Sequence, residues 1–122
     1  DQVPRNVFRD DPRSFASDAQ ALATARQMVA SGADRLLPTA WHRMFCYMPF
    51  EHSEALADQN TAVQLMTALR DQSQGQVDVV DWALKHRAVI ERFGRFPHRN
   101  AMLGRRDTAQ ESAFLREPGS SF

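Results

Sequence analysis

The sequence predicts an all-α fold of about four helices, with an ordered arginine-rich loop between the third and the fourth. Two observations carry this. Apolar residues recur at helical spacing in three long segments, and no segment alternates as a half-buried strand would. Capping residues, prolines and glycines also fall where helices need to start and stop. Asp18 is placed to cap a first helix over about 19–31, whose apolar positions are Leu22, Ala25 and Val29, and Gly32 is its natural stop. After the Leu37-Pro38 break, residues 40–48 form a short apolar helix or an extended piece. Pro49 then opens a second helix running to Arg70. Its stripe of His52, Leu56, Gln59, Val63 and Met66 puts two polar side chains where core residues belong. Glu51, Glu54 and Asp58 make an acidic row near its start, which suits the positive helix N-terminus. A polar linker over 71–76 leads to a third helix, about 77–93, with Val79, Ala83, His86, Ile90 and Phe93 on one face and Gly94 ending it. Thr108-Ala109-Gln110-Glu111 is a capping box for the fourth helix, and Pro118-Gly119 stops it.

With 122 residues the chain is long enough for one domain around a single core. A formal net charge of zero and a charged fraction of 25% exclude a global attraction to nucleic acid or acidic membranes, so any basic surface is local. Lys85 is the one lysine among the 15 basic residues. Arginine suits bidentate carboxylate or phosphate contacts, although a GC-rich genome produces the same usage. Cys46 is alone, between Phe45 and Tyr47, which predicts an inert thiol in a reducing cytoplasm. No apolar run approaches the roughly 20 residues of a membrane span, and no signal peptide is visible. The chain opens on Asp1-Gln2-Val3-Pro4 without methionine, so further N-terminal sequence is expected.

The segment Phe93-Gly94-Arg95-Phe96-Pro97-His98-Arg99-Asn100 continues to Leu103-Gly104-Arg105-Arg106, and no acid interrupts it. Such a loop is ordered only when counter-charge or a ligand satisfies its guanidinium groups. Pro4-Arg5-Asn6 echoes its Pro97, Arg99 and Asn100, as either a repeat of helical hairpins or chance between two arginine-rich turns would produce, and Arg5, Asn6 and Arg9 of the entry segment are expected to join the loop.

Several motifs together carry a family resemblance. They are Asp1 to Asn6, Phe15-Ala16-Ser17-Asp18, Tyr47-Met48-Pro49-Phe50, His52-Ser53-Glu54, Asp58-Gln59, His86-Arg87 and Arg92 to Asn100. Leu103-Gly104-Arg105, Thr108, Glu111 and Phe122 complete the set. On these residues the chain resembles the bacterial domain of unknown function 924 family. It differs at Val3, where phenylalanine is usual, and at Glu51, where an apolar residue is common. The resemblance implies tetratricopeptide-like helical hairpins, and it implies that residues 1–122 are the C-terminal part of a longer domain. It supplies no chemistry.

Known site patterns are mostly absent. His52-Ser53-Glu54 has the H-x-E form of zinc deaminases, but the Pro-Cys-x-x-Cys partner is missing. No histidine pair has metal-binding helical spacing, so neither a metal nor another cofactor is expected. Ser53 lacks nucleophile-elbow glycines, and no phosphate loop is present. What remains is a cleft for a small anion, formed by Arg5, Asn6, His52, Glu54, Asp58, Gln59, His86, Arg95, His98, Arg99, Asn100 and Arg105. His52 and His98 are the candidate general acid or base. The competing reading is structural, with the acidic row pinning the arginine loop to a tetratricopeptide-like interaction scaffold. Self-association, or a partner chain covering Leu22, Ala25 and Val29, is a further expectation.

Overall fold

The computed structural model describes residues 17–120. The expectations for Arg5, Asn6 and Arg9 therefore lie outside the described residues. Within them the chain forms six α-helices and no strand: α1 (Asp18–Ser31), α2 (Ala40–Glu51), α3 (Leu56–Gln72), α4 (Val80–Phe93), α5 (Asn100–Leu103) and α6 (Ala109–Leu115). Short 3₁₀ turns occupy Ala33–Leu36 and Pro97–Arg99. The all-α class holds, but the helix count of about four is corrected to six.

The main correction concerns Pro49. It does not open a helix; it sits in the last turn of α2, which Thr39 caps by accepting the His42 N–H at 3.2 Å. Proline in a helix interior forfeits a backbone hydrogen bond. Burial of Tyr47 and Phe50 on the same helix outweighs that local cost. The helix ends two residues after Pro49, at Glu51, and Gln59 closes the break that follows. Its Nε2 donates to the carbonyls of Glu51 at 2.6 Å and Ser53 at 2.7 Å. That bond explains why glutamine fills a core position of the predicted stripe, fully buried. Leu56 of the same stripe is 45% exposed.

Asp18 is the first residue of α1 rather than its cap, which falls on Ser17, and its carboxylate still suits the positive helix end. α4 starts at Val80 instead of Val77, although Val77 is buried in the preceding turn. Gly94 closes α4 in the left-handed conformation at φ 73°, its N–H donating to Ile90 O at 2.8 Å. The capping box at Thr108 forms as expected, with Glu111 N–H on the threonine hydroxyl and Thr108 N–H on the Glu111 carboxylate.

Each of the first three helices packs on the next. Tyr47, Met66, Leu69, Val77, Val80 and Ala83 make the main core cluster. Ala25, Phe50 and Ala62 form a second, against which Leu22 and Val29 pack. On α1, Ala25 is therefore buried, while Leu22 and Val29 are only partly covered within the chain. A third cluster, Val89, Ile90 and Phe96 with Phe93 and Phe114, attaches the arginine loop and α6 to the end of α4. Tyr47 donates its hydroxyl hydrogen to Asp34 and accepts from Arg43 at 3.1 Å, and burial followed by the Asp34 bond pushes that hydroxyl up to about 12. No helix among the described residues is long and apolar enough to cross a membrane.

Candidate functional site

Two of the loop arginines are structural ties. Arg105 grips Glu54 in a fork, Nη1 to Oε1 at 2.8 Å and Nη2 to Oε2 at 3.1 Å. Its remaining donors reach Asn100 Oδ1 at 2.9 Å and the Phe96 carbonyl at 3.2 Å. Phe96 N–H also donates to Glu54 at 2.6 Å. Burial alone would raise the Glu54 carboxyl, but the Arg105 and Phe96 hydrogen bonds more than offset it and hold the group below its usual range. Arg95 makes the second tie, to Glu111 at 2.8 and 2.6 Å and to the Arg106 carbonyl at 2.7 Å. Asn100, fully buried, links Arg105 to Asp107.

The Arg95 hydrogen bonds, opposed by burial and aided by Thr108 N–H and Asn100, bring the Glu111 carboxyl down to about 2. A lowered carboxyl stabilises the fold above its unfolded value of about 4.5. That contribution is lost as pH falls from about 4.5 toward about 2. Acid titration of the melting temperature is expected to show this loss in the wild type and a shallower slope in Glu111→Gln. Equal slopes would show that the clasp contributes nothing to acid stability.

Asp58, expected in the cleft, turns instead to α1: Arg26 Nη2 meets both its oxygens at 2.8 and 2.9 Å, and Ser53 adds a bond at 2.7 Å. Of the remaining candidates, Gln59 is spent on the Glu51 and Ser53 carbonyls, whereas His86, His98 and Arg99 collect around the ring of Phe96. The ring centres of His86 and His98 lie 5.8 and 5.7 Å from it, and the Arg99 guanidinium carbon is 4.6 Å away. His52 stands beside His86, with ring centres 6.2 Å apart. Arg99 is held by the His52 carbonyl at 3.0 Å and lies 4.0 Å from Asp18 of α1. Residues from α1, the end of α2, α4 and the loop therefore meet in one polar seam.

Glu51 is the member that the predicted cleft omits. It is the last residue of α2, 6% exposed, and its Oε1 has no hydrogen-bond partner among the described residues. Burial pushes its carboxyl up to about 7. His86, equally buried, donates Nδ1–H to the Trp82 carbonyl at 2.7 Å. Burial brings its imidazole down to about 4; the Trp82 bond opposes this, and the charges of His52 and Arg99 add to it. The acidic row in the sequence pointed to Glu51, but only the packing of α2 against α4 puts it next to His86.

The fold and this seam define an all-helical protein whose arginine-rich loop is ion-paired onto a helical body. Residues 1–119 match the family model described as bacterial protein of unknown function (DUF924), and the chain belongs to that family. Among solved structures, a protein of unknown function from Agrobacterium tumefaciens is similar, at 37% identity and a TM-score of 0.83. The match covers 95% of this chain and 62% of that one, so the chain spans about six-tenths of that protein's length. Comparison with curated proteins finds no match.

Proposed function

We propose that the protein binds a small anionic ligand, a carboxylate or a phosphate, in the seam around Phe96. The observation that carries this reading is the gathering of His86, His98 and Arg99 about one buried ring, with His52 adjoining. A stacked arginine keeps its fork pre-organised for a planar or tetrahedral anion. His52 and His98 are the groups placed to exchange a proton with it. Arg95 and Arg105 support the seam from outside through their glutamate ties.

A thermal-shift panel of phosphate, pyrophosphate and di- and tricarboxylates at constant ionic strength tests this. A true ligand at 100 times its Kd stabilises by about 2.7 kcal/mol, and Arg99→Lys, which keeps the charge but loses the fork, is expected to reduce the shift. A flat response across the panel overturns the reading.

A tetratricopeptide-like peptide scaffold is the second reading. It is favoured by the groove between α1 and α2, lined by Ala21, Ala25, Met28 and Phe45, with Phe45 56% exposed. Under it, Phe45→Glu abolishes peptide capture and leaves any anion shift intact. The lone Cys46, whose thiol burial and Asp34 push upward, suits a reducing cytoplasm.

A further inference from the structure

We infer that Glu51, His52 and His86 form a binding site for a divalent transition-metal ion of the zinc class. The proposal concerns the same seam as the anion reading but does not require it. One donor atom from each of the three side chains lies within 4.8 Å of the others. Donors on a tetrahedral zinc-class ion, at about 2.0–2.1 Å from the metal, stand about 3.3 Å apart. The three groups therefore need to close by at most about 1.5 Å.

The orientation of His86 supports the assignment. A carbonyl only accepts, so the bond to Trp82 O at 2.7 Å places the ring proton on Nδ1, and Nε2 would be the nitrogen that meets an ion. Metal-ligating imidazoles are ordinarily fixed in this way, with the other ring N–H held on a carbonyl or carboxylate.

Glu51 supplies a separate argument. Its Oε1 is buried and has no donor among the described residues. Its Oε2 is 3.9 Å from His86 Nδ1, too far for a hydrogen bond. A buried carboxyl oxygen without a donor is costly, and a cation supplies the missing interaction. Two imidazoles with one carboxylate favour zinc, cobalt or iron(II) over calcium or magnesium, which need all-oxygen shells. Three protein donors also leave a fourth position for water or an anion.

The test is calorimetric titration of ZnCl₂ into the purified, EDTA-stripped protein, with Co²⁺ absorption as a second readout. The expected result is saturable binding of one equivalent and a visible cobalt band of tetrahedral intensity. Glu51→Gln and His52→Ala are each expected to weaken zinc by more than the roughly 10–100-fold that loss of an outer-sphere partner costs. His42→Ala, which alters an exposed imidazole bonded to Thr39, and Cys46→Ser leave binding unchanged. Circular dichroism establishes that each variant is folded. Absence of saturable wild-type binding overturns the proposal, as does an unchanged zinc affinity in folded Glu51→Gln. An anion shift in metal-free protein that takes up no zinc refutes the metal site and leaves the anion reading standing. Zinc binding with no anion shift does the reverse.

Discussion

Replacing Phe96 with alanine is expected to lower the unfolding free energy by about 3–5 kcal/mol, measured by urea denaturation. Phe96 is fully buried with Val89 and Ile90, stands edge-on to His86 at 82° and lies under Arg99 at 4.6 Å. Deleting the ring removes apolar burial and also opens a void at the centre of the seam, so both stability and any anion-induced shift should fall. Phe96→Leu restores most of the volume and should recover most of the stability, because filling rather than ring electronics dominates core energetics. A loss below about 1 kcal/mol in Phe96→Ala would show that the loop is anchored elsewhere.

Glu54→Ala is expected to cost roughly 2–3 kcal/mol, somewhat less than the 3–5 of a fully buried pair because both side chains keep some solvent. Their relative exposures are 27% for Glu54 and 25% for Arg105. The substitution removes the fork to Arg105 and the acceptor for Phe96 N–H together. Asp58→Ala is the contrast: Asp58 is itself buried, but its partner Arg26 is 57% exposed and regains water when the carboxylate is lost, so the cost is expected to fall nearer the roughly 1 kcal/mol of a part-exposed pair. Urea midpoints that rank these two variants equally would refute the assignment of Glu54 as the loop's principal tie.

The helical class, the stops at Gly32 and Gly94 and the capping box at Thr108 were legible because each is a local signal, settled within a turn of chain. The boundary between α2 and α3 was not. Proline at an early helical position is the commoner arrangement, and Pro49 departs from it only because Tyr47 and Phe50 find a core to enter. The Gln59 side chain, which closes the turn, acts eight residues away from Glu51, beyond any spacing rule. Counter-charge for the arginine loop was foreseeable in kind. Its identity was not: Glu54 serves Arg105, Glu111 serves Arg95, and Asp58 serves the first helix. Glu51 and His86 carry no shared motif, since helix packing alone brings them together.

The two glutamate clasps run in opposite directions along the chain. Arg95 reaches forward to Glu111, whereas Arg105 reaches back to Glu54. The intervening residues are thus cross-laced, and undoing one knot leaves the other still fastened. A ligand of the kind proposed would consequently meet a doorway already framed, and its entry could not rely on the loop swinging aside like a flap.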